Sequence, residues 1–412
     1  MKKQITLVIL GCMIVILAGC ANHRISPRIG DEALQETWMQ QVNTYPANWV
    51  KNVDPWFLTG EAAVPEKNTT ILEIKSPSIV ASNFNSIAVS GNFQVQIVGG
   101  QDANSVFIYG PTEMVKLVTV EVFNNRLQIR QNEPEKDKIR KVIVRVGVRQ
   151  LNLLENKGNS LILGRGITSH ELVVTANGSG SIYLEGDMNL TRLENTGTGT
   201  ITVLGAKTQS LKMTVIGSGS ANVSGQVGIE NLLHKGDGAV NIIGADSDHV
   251  CITAAGAGTT TIFGYINLKE VMASDTSRVY VYWVYSSKIN VIARGKAIVG
   301  LAGTAANMSI ELSNQSCFQG EHMRSCNIYI KTKDNAHADV AADLKIFASS
   351  ENKSSIYYFG SPEILSRLNA QQSAILPLGP YLIPRCAENP CTFIPPSFCG
   401  PVKEKVTPDP LF

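Results

Sequence analysis

Charge and aromatic rings are scarce in this 412-residue chain: 17% of residues are charged, 7% are aromatic, and the formal net charge is +2. Beyond the short loop Lys138-Ile139-Arg140-Lys141 there is no basic run. A nucleic-acid partner, which needs a basic patch or stripe, is therefore excluded. Apart from the N-terminal stretch Ile5 to Leu17, no long apolar run occurs, and a spanning helix needs about 20 such residues. Catalytic groupings are missing too. No Gly-x-Ser-x-Gly elbow with triad partners is present, and no dense Asp cluster marks a calcium-dependent lyase. The histidines His23, His170, His234, His249, His322 and His337 are dispersed. They read as surface or turn residues, so the sequence assigns no catalytic residue, no metal ligand and no cofactor.

What the chain has in quantity is glycine, 35 residues of it, in a ladder. Turn-forming residues recur at Lys157, Gly178, Gly197, Gly217, Gly236, Gly256, Asp275, Gly295, Asn314, Asp334 and Asn352, spaced 18 to 21 apart. All but Lys157 are Gly, Asn or Asp, which tolerate left-handed backbone. Four positions before every centre stands an apolar residue, from Leu153 and Val174 to Ile330 and Ala348. Four and six after, apolar residues again alternate with polar ones, as in Ile201 and Val203. This predicts two short strands per repeat, each with one inward face. A second turn follows eight after the centre, at Gly186, Gly205, Gly225, Gly244, Gly264, Gly303 and Gly360.

Such repeats bury a core only by stacking. The fold class is all-β: a parallel β-helix (β-solenoid) of about 11 coils, each rising ~4.8 Å. Propeller blades repeat at about 40 residues, and sandwich strands do not hold one register over eleven units. The Gly-x-Gly turns precede strands, whereas a phosphate loop needs a following helix. Those glycines are structural.

The ends divide the chain further. Residues 1–19 have a basic start, a short apolar centre and small residues, an export signal. Leu17-Ala18-Gly19-Cys20 resembles the lipobox of bacterial lipoproteins, which implies acylation, including palmitate, at Cys20 and an outer-membrane anchor. Residues 20–80 form anchor and linker, with a short helix at Asp31 to Gln41, and read as a spacer that partly docks on the coils. Residues 81–150 form a β-rich N-terminal cap, with a hairpin turn at Asn124-Asn125. Residues 151–360 are the solenoid, and 361–412 a C-terminal cap with a short helix at Ser361 to Ala374 and a Pro- and Cys-rich tail.

In an oxidising compartment disulfides are expected. The local pairings are Cys317 with Cys326, and one pair within Cys386, Cys391 and Cys399.

The string Phe84-Asn-Ser-Ile87-Ala-Val89-Ser-Gly91-Asn-Phe93-Gln-Val95-Gln-Ile97, the later Asn125-Arg-Leu-Gln-Ile129, and the Gly-Ser-Gly-Ser turns at 178 and 217 resemble the head-GIN family of autotransporter adhesin-like proteins. The resemblance covers roughly residues 82 to 360. It implies a right-handed β-helix in a bacterial envelope and no established activity.

One surface feature stands out. Phe263 and Tyr282 both lie seven after their centres, with Tyr265, Tyr280, Trp283 and Tyr285 nearby. Exposed aromatic clusters mark contacts with sugars or proteins; the same rings also suit a ladder that stabilises the sheet or docks a terminal arm. The sequence thus points to a non-enzymatic, lipid-anchored envelope protein with an adhesin-like interaction surface. It would be held to the membrane by its anchor and would contact a glycan or an envelope or host-surface protein. A periplasm-facing component that binds peptidoglycan or envelope proteins is the alternative. A polysaccharide-modifying enzyme ranks third.

Overall fold

The computed structural model describes residues 46–59, 70–73, 84–132, 141–368 and 372–379. The expected helix at Asp31 to Gln41, the lipid site Cys20 and the Cys-rich tail lie outside these residues. The described chain is mostly strand and forms a β-solenoid of about 12 turns. It divides into two compact units. The first holds residues 42–247 with 252–263; the second holds 248–251 and the chain from 264 onward.

The first unit opens with helical residues 46–50 and helix α1 (Pro55–Thr59). Strands β1 (Thr70–Glu73), β2 (Ser86–Ser90), β3 (Gln94–Val98) and β4 (Ser105–Gly110) follow. Then come helix α2 (Thr112–Val115), β5 (Val118–Phe123), β6 (Arg126–Gln131), β7 (Ile143–Gly147) and β8 (Leu153–Asn156). Asn124 and Asn125 join β5 to β6 with φ of 49° and 58°, the paired left-handed geometry of a tight hairpin turn.

The region expected to be a cap is largely coil. β2 pairs in parallel with β6 on one side and β8 on the other, and β3 likewise with β7 and β9 (Leu161–Ala176). The β2–β3 coil is therefore inserted between the later β6–β7 layer and the β8–β9 coil. The strands that close the stack are antiparallel: β4 on β7, β5 on β6, and β1 on β4. Such a change of direction ends a parallel edge that would otherwise invite further strands.

From β9 the coils run in chain order through β10 (Ile182–Asn195), β11 (Thr200–Gly217) and β12 (Ser220–Gly236), all parallel. β13 (Ala239–Ala255) and β14 (Thr259–Ala273) follow. Two details differ from the sequence reading. The first rung centre is Gly158, not Lys157: Leu154 pairs with Val174 and is fully buried, while Leu153 is half-buried. Each coil also has a third inward edge. The β11–β12 register slips at Leu204/Ala206 and again at Thr208/Leu211, and between these bends Ala206 and Thr208 turn inward. Met188 with Leu190, and Val227 with Ile229, fill the same edge in neighbouring coils.

The glycine column holds the turns together. A Cβ on Gly197 would lie 1.9 Å from the Gly178 carbonyl oxygen, and one on Gly236 1.8 Å from that of Gly217. Inside this column, Asn195 donates to the Gly199 carbonyl at 2.8 Å while its Oδ1 accepts from Gly197 N–H at 3.2 Å. Asn156 makes the same pair of bonds around Gly158.

The second unit stacks β15 (Arg278–Ala293), β16 (Ile298–Leu312), β17 (Cys317–Thr332), β18 (His337–Ser350) and β19 (Ser355–Phe359) in parallel. Its turns are of a different kind. Asp275, Asn314, Asp334 and Asn352 have φ between 59° and 65°. Each opens a short turn closed by a bond such as Ser316 N–H to Ser313 carbonyl or Ser354 N–H to Glu351 carbonyl. The side chains bond from turn to turn, Asn314 N–H donating to Asp334 Oδ2 at 3.2 Å and Asn352 Nδ2 to Asp334 Oδ1 at 3.1 Å, so Gly-x-Gly is no longer required. The helix expected over Ser361 to Ala374 is not formed. β20 (Glu363–Leu368) pairs in parallel with β18, and β21 (Ala374–Gly379) with β19. Ile364, opposite Ile346, continues the period of two that β18 presents, so the pairing edge overrides a weak helical pattern.

Candidate functional surface

Of the six aromatic residues singled out in the sequence, Phe263 lies in the first unit and the other five in the second. Tyr265 and Tyr285 stack with ring centroids 5.3 Å apart, and Tyr265 is 47% exposed. Tyr280 does not project into solvent as a free ring. It lies across Gly300, where a Cβ would come 2.6 Å from its Cδ1, and burial pushes its hydroxyl pKa up. Tyr282 and Trp283 are half-buried.

Trp283 has φ of 68°. It sits at a coil corner, where the β15–β16 register slips between Tyr282 and Val284. A left-handed aromatic residue stores about 1–3 kcal/mol of backbone strain and persists only where its surroundings hold it.

The sequence reading missed a second ring pair. Tyr329 and Phe347 stack 4.6 Å apart and 2° from parallel, and Tyr329 is 48% exposed. Both stand five before their centres, the same criterion that linked Phe263 to Tyr282. The column continues to Leu365 on one side and to Ser309 on the other. Ser309 is small, so the outer face of the Tyr329 ring is unobstructed by its neighbour in the ladder. Two residues upstream, Asn327 donates to Asn307 Oδ1 at 3.1 Å. Two downstream, Glu311 and Lys331 share a rung. A shallow groove beside the rings is lined by Phe347, Ser349, Leu365 and Ser366.

The expected Cys317–Cys326 disulfide is absent. Cys317 is a free thiol, as is Cys251. The β17–β18 register slips between Gly320 and Arg324 and again between Ser325 and Asn327, so coil corners lie between Cys317 and Cys326. Burial, with Asp339 and Glu321 nearby, pushes the Cys317 thiol up to about 11. Cys326 is disulfide-bonded.

Two histidines depart from the surface reading. His234 is 1% exposed and His322 6%. His234 stands in the column of Asn156 and Asn195. Its Nδ1 lies 2.9 Å from Thr260 Oγ1, and its ring packs against Gly258, where a Cβ would come 2.5 Å from Cε1. Burial holds its pKa below the ordinary imidazole value, against the opposing pull of Asp237.

In the first unit the segment before the coils is docked on their outer face. Val50, Trp56, Phe57 and Leu163 form a buried cluster, with Trp49, Val53, Leu161, Tyr183 and Leu204 around it. The Arg145 guanidinium sits 6.0 Å over Trp56, and Arg165 donates to the Trp56 carbonyl at 3.2 Å. Leu163, which the sequence reading placed inside a coil, is an outward residue buried by this helix.

Among the described residues no group of three or more His, Cys, Asp or Glu is placed to hold a metal ion. No helix among them is long and apolar enough to cross a membrane.

Stacked parallel coils with rings on their outer faces define a β-solenoid protein. Residues 83–265 and 266–362 match the family model described as "putative auto-transporter adhesin, head GIN domain". The chain belongs to this family.

Among solved structures, a putative adhesin from Parabacteroides merdae is 12% identical at a TM-score of 0.25, with 76% of this chain and 98% of that one covered. A putative adhesin from Bacteroides fragilis is 16% identical at a TM-score of 0.24, with 77% and 100% covered. A putative lipid binding protein from Parabacteroides distasonis is 13% identical at a TM-score of 0.23, covering 76% and 98%. No curated protein matches the chain.

Proposed function

We propose that this protein is a non-enzymatic, lipid-anchored component of the bacterial outer membrane, held by acyl chains on Cys20, whose solenoid presents an adhesive surface to glycans. The observation that carries the reading is the Tyr329–Phe347 stack. A pyranose ring has an apolar face and a rim of hydroxyls, so it seeks an exposed aromatic plane bordered by hydrogen-bonding groups. Tyr329 offers the plane, at 48% exposure. The Asn307–Asn327 amides on one side and the Glu311/Lys331 rung on the other supply the border. Tyr265 stacked on Tyr285 provides a second platform of the same type. Family membership supports adhesion as the role.

A glycan array with the wild-type protein and Tyr329→Ala tests this. Loss of aryl stacking is expected to weaken a hit by about 5-fold, since aromatic stacking is worth roughly 1 kcal/mol. An array without hits, or hits unaffected by Tyr329→Ala and Tyr265→Ala, overturns the glycan surface. Protease shaving of intact cells addresses the side of the membrane. A chain spared by protease until the envelope is opened would support the periplasmic, peptidoglycan-binding alternative.

A further inference from the structure

The turn at Asp334 leads into β18, whose first outward residues meet a serine from the next coil. His337 opens the strand, and Asp339, two residues on, shares its face by the period of two. Ser355 opens β19 directly opposite His337 in the parallel ladder. His337 Nδ1 lies 2.7 Å from Ser355 Oγ, and its Nε2 lies 3.2 Å from Asp339 Oδ1. A carboxylate only accepts, so it holds the ring proton on Nε2 and leaves Nδ1 to accept from the serine hydroxyl. This is the hydroxyl–imidazole–carboxylate relay that activates a serine, with the two ring nitrogens exchanged relative to the serine proteases. The His337 and Asp339 side chains are 33% and 24% exposed, so a reagent in solvent can reach them.

We propose that Ser355 is a modification site: its hydroxyl, with His337 as general base and Asp339 as positioning residue, takes a short acyl group from an activated ester. The site goes beyond the adhesive reading and stands apart from the Tyr329 platform, on the strand after the turn rather than the strand before it.

The neighbouring columns fit this chemistry. Ala374 stands opposite Ser355 on β21, and its methyl group leaves room beside the hydroxyl. Tyr357, opposite Asp339, meets the His337 ring edge-on with centroids 4.8 Å apart. Leu376 stands opposite Tyr357 and is 49% exposed. The two give an apolar strip next to Ser355 that suits an alkyl chain of a few carbons. On the other side Cys317 pairs with His337. Burial, with Asp339 and Glu321 nearby, pushes that thiol up to about 11, so it stays protonated and is a poor competitor for the acyl group.

The step balances without a further reactant. Ser355 Oγ bonds to the acyl carbon as its proton passes to His337 Nδ1. The bond from acyl carbon to leaving group breaks, and the leaving group departs with the electron pair and takes that proton. The chain keeps an ester, and a phenol, alcohol or thiol is released. Hydrolysis of that ester is slow by comparison, because its leaving group is an alkoxide. The flanking backbone donors are committed to the ladder: Ser355 N–H to the Ala336 carbonyl and His337 N–H to that of Ser316, both at 3.0 Å, and Ala374 N–H to that of Ser354 at 3.1 Å. A preorganised oxyanion donor is worth about 10²–10³ in rate, and these three are not free to act as one. Each chain is therefore acylated once rather than turning over.

Incubation of the full-length protein with p-nitrophenyl butyrate tests the site, with nitrophenolate release followed and the butyryl group located by peptide mapping. A burst of one equivalent is expected, with the label on Ser355. Ser355→Ala, which keeps every backbone bond of the ladder, should abolish it. His337→Gln should slow it by about 100-fold or more, the usual contribution of a general base. Asp339→Asn should also slow it, and Asp339→Glu should restore part of the rate, which loss of a merely structural contact would not predict. No burst, a label only on Cys317 or on lysines, or a Ser355 rate unchanged in His337→Gln overturns the proposal. Sustained release that Ser355→Ala abolishes overturns the single acylation, and the non-enzymatic reading with it.

Discussion

The turn column gives the sharpest quantitative test. In Gly236→Ala the new methyl would sit 1.8 Å from the Gly217 carbonyl oxygen and 2.7 Å from its carbon. Ordinary carbon contacts lie near 3.5 Å, so the two turns must separate by well over 1 Å. Neither atom is the end of a flexible side chain; both belong to strands held by ladder bonds. Asp237 N–H donates to Gly217 carbonyl at 3.0 Å, and Gly258 N–H to Gly236 carbonyl at 2.8 Å. Over-packing against side chains costs about 1–3 kcal/mol. Against backbone, with loss of one ladder bond, about 3 kcal/mol or more is expected.

Gly217→Ala is the matched control. Its Cβ would find nothing closer than 3.6 Å, but its φ of 93° imposes a conformational cost of about 1–2 kcal/mol. Native-state hydrogen exchange reads both, since stacked repeats open locally rather than all at once. Gly236→Ala should lower protection at Asp237 and Gly258 by roughly 100-fold, and Gly217→Ala by about 10-fold. Equal effects, or a loss at Gly236 under about 1 kcal/mol, would refute the stacking argument.

His234 should make the first unit acid-sensitive. Its folded-state pKa is depressed by burial, so below the ordinary value of about 6.5 the unfolded chain binds the extra proton. Stability is then fully present above that pH and falls as pH drops through the folded value. Denaturation midpoints from pH 7.5 to 5 should decline less in His234→Asn, which copies the capping residue of Asn195; identical slopes would remove the assignment. Cys317, whose thiol is pushed up to about 11, should resist alkylation at pH 8 far more than an exposed thiol. Asp339→Asn should speed that reaction, because it removes a charge that opposes the thiolate; an unchanged rate would count against the electrostatic cause.

Periodicity made most of the coil legible. Residues at Leu154, Val174 and Leu193 recur because each must face the same narrow interior, and a glycine recurs wherever turn backbones touch. The third inward edge was written in pairs such as Met188/Leu190 and Val227/Ile229, but its register slips at both bends, so no constant offset from the turn reveals it. The Tyr329–Phe347 stack was readable from a shared offset of five.

Other features required the folded chain. Local pattern cannot state that β2–β3 inserts between β6–β7 and β8–β9, because each of those strands has the same alternation and the choice lies in which edges meet. The same holds for Leu163, apolar in a row that faces outward, whose partner is Trp56 and Phe57 more than 100 residues away in sequence. Cys317 and Cys326 look like neighbours in the chain, yet a coil corner sends them to different sides. The sequence by itself determined the repeat, the strand edges and the glycine turns, since these follow from nearest-neighbour geometry. Tertiary structure alone decided the order of the first coils and the docked helix, since these depend on residues brought together from separate parts of the chain.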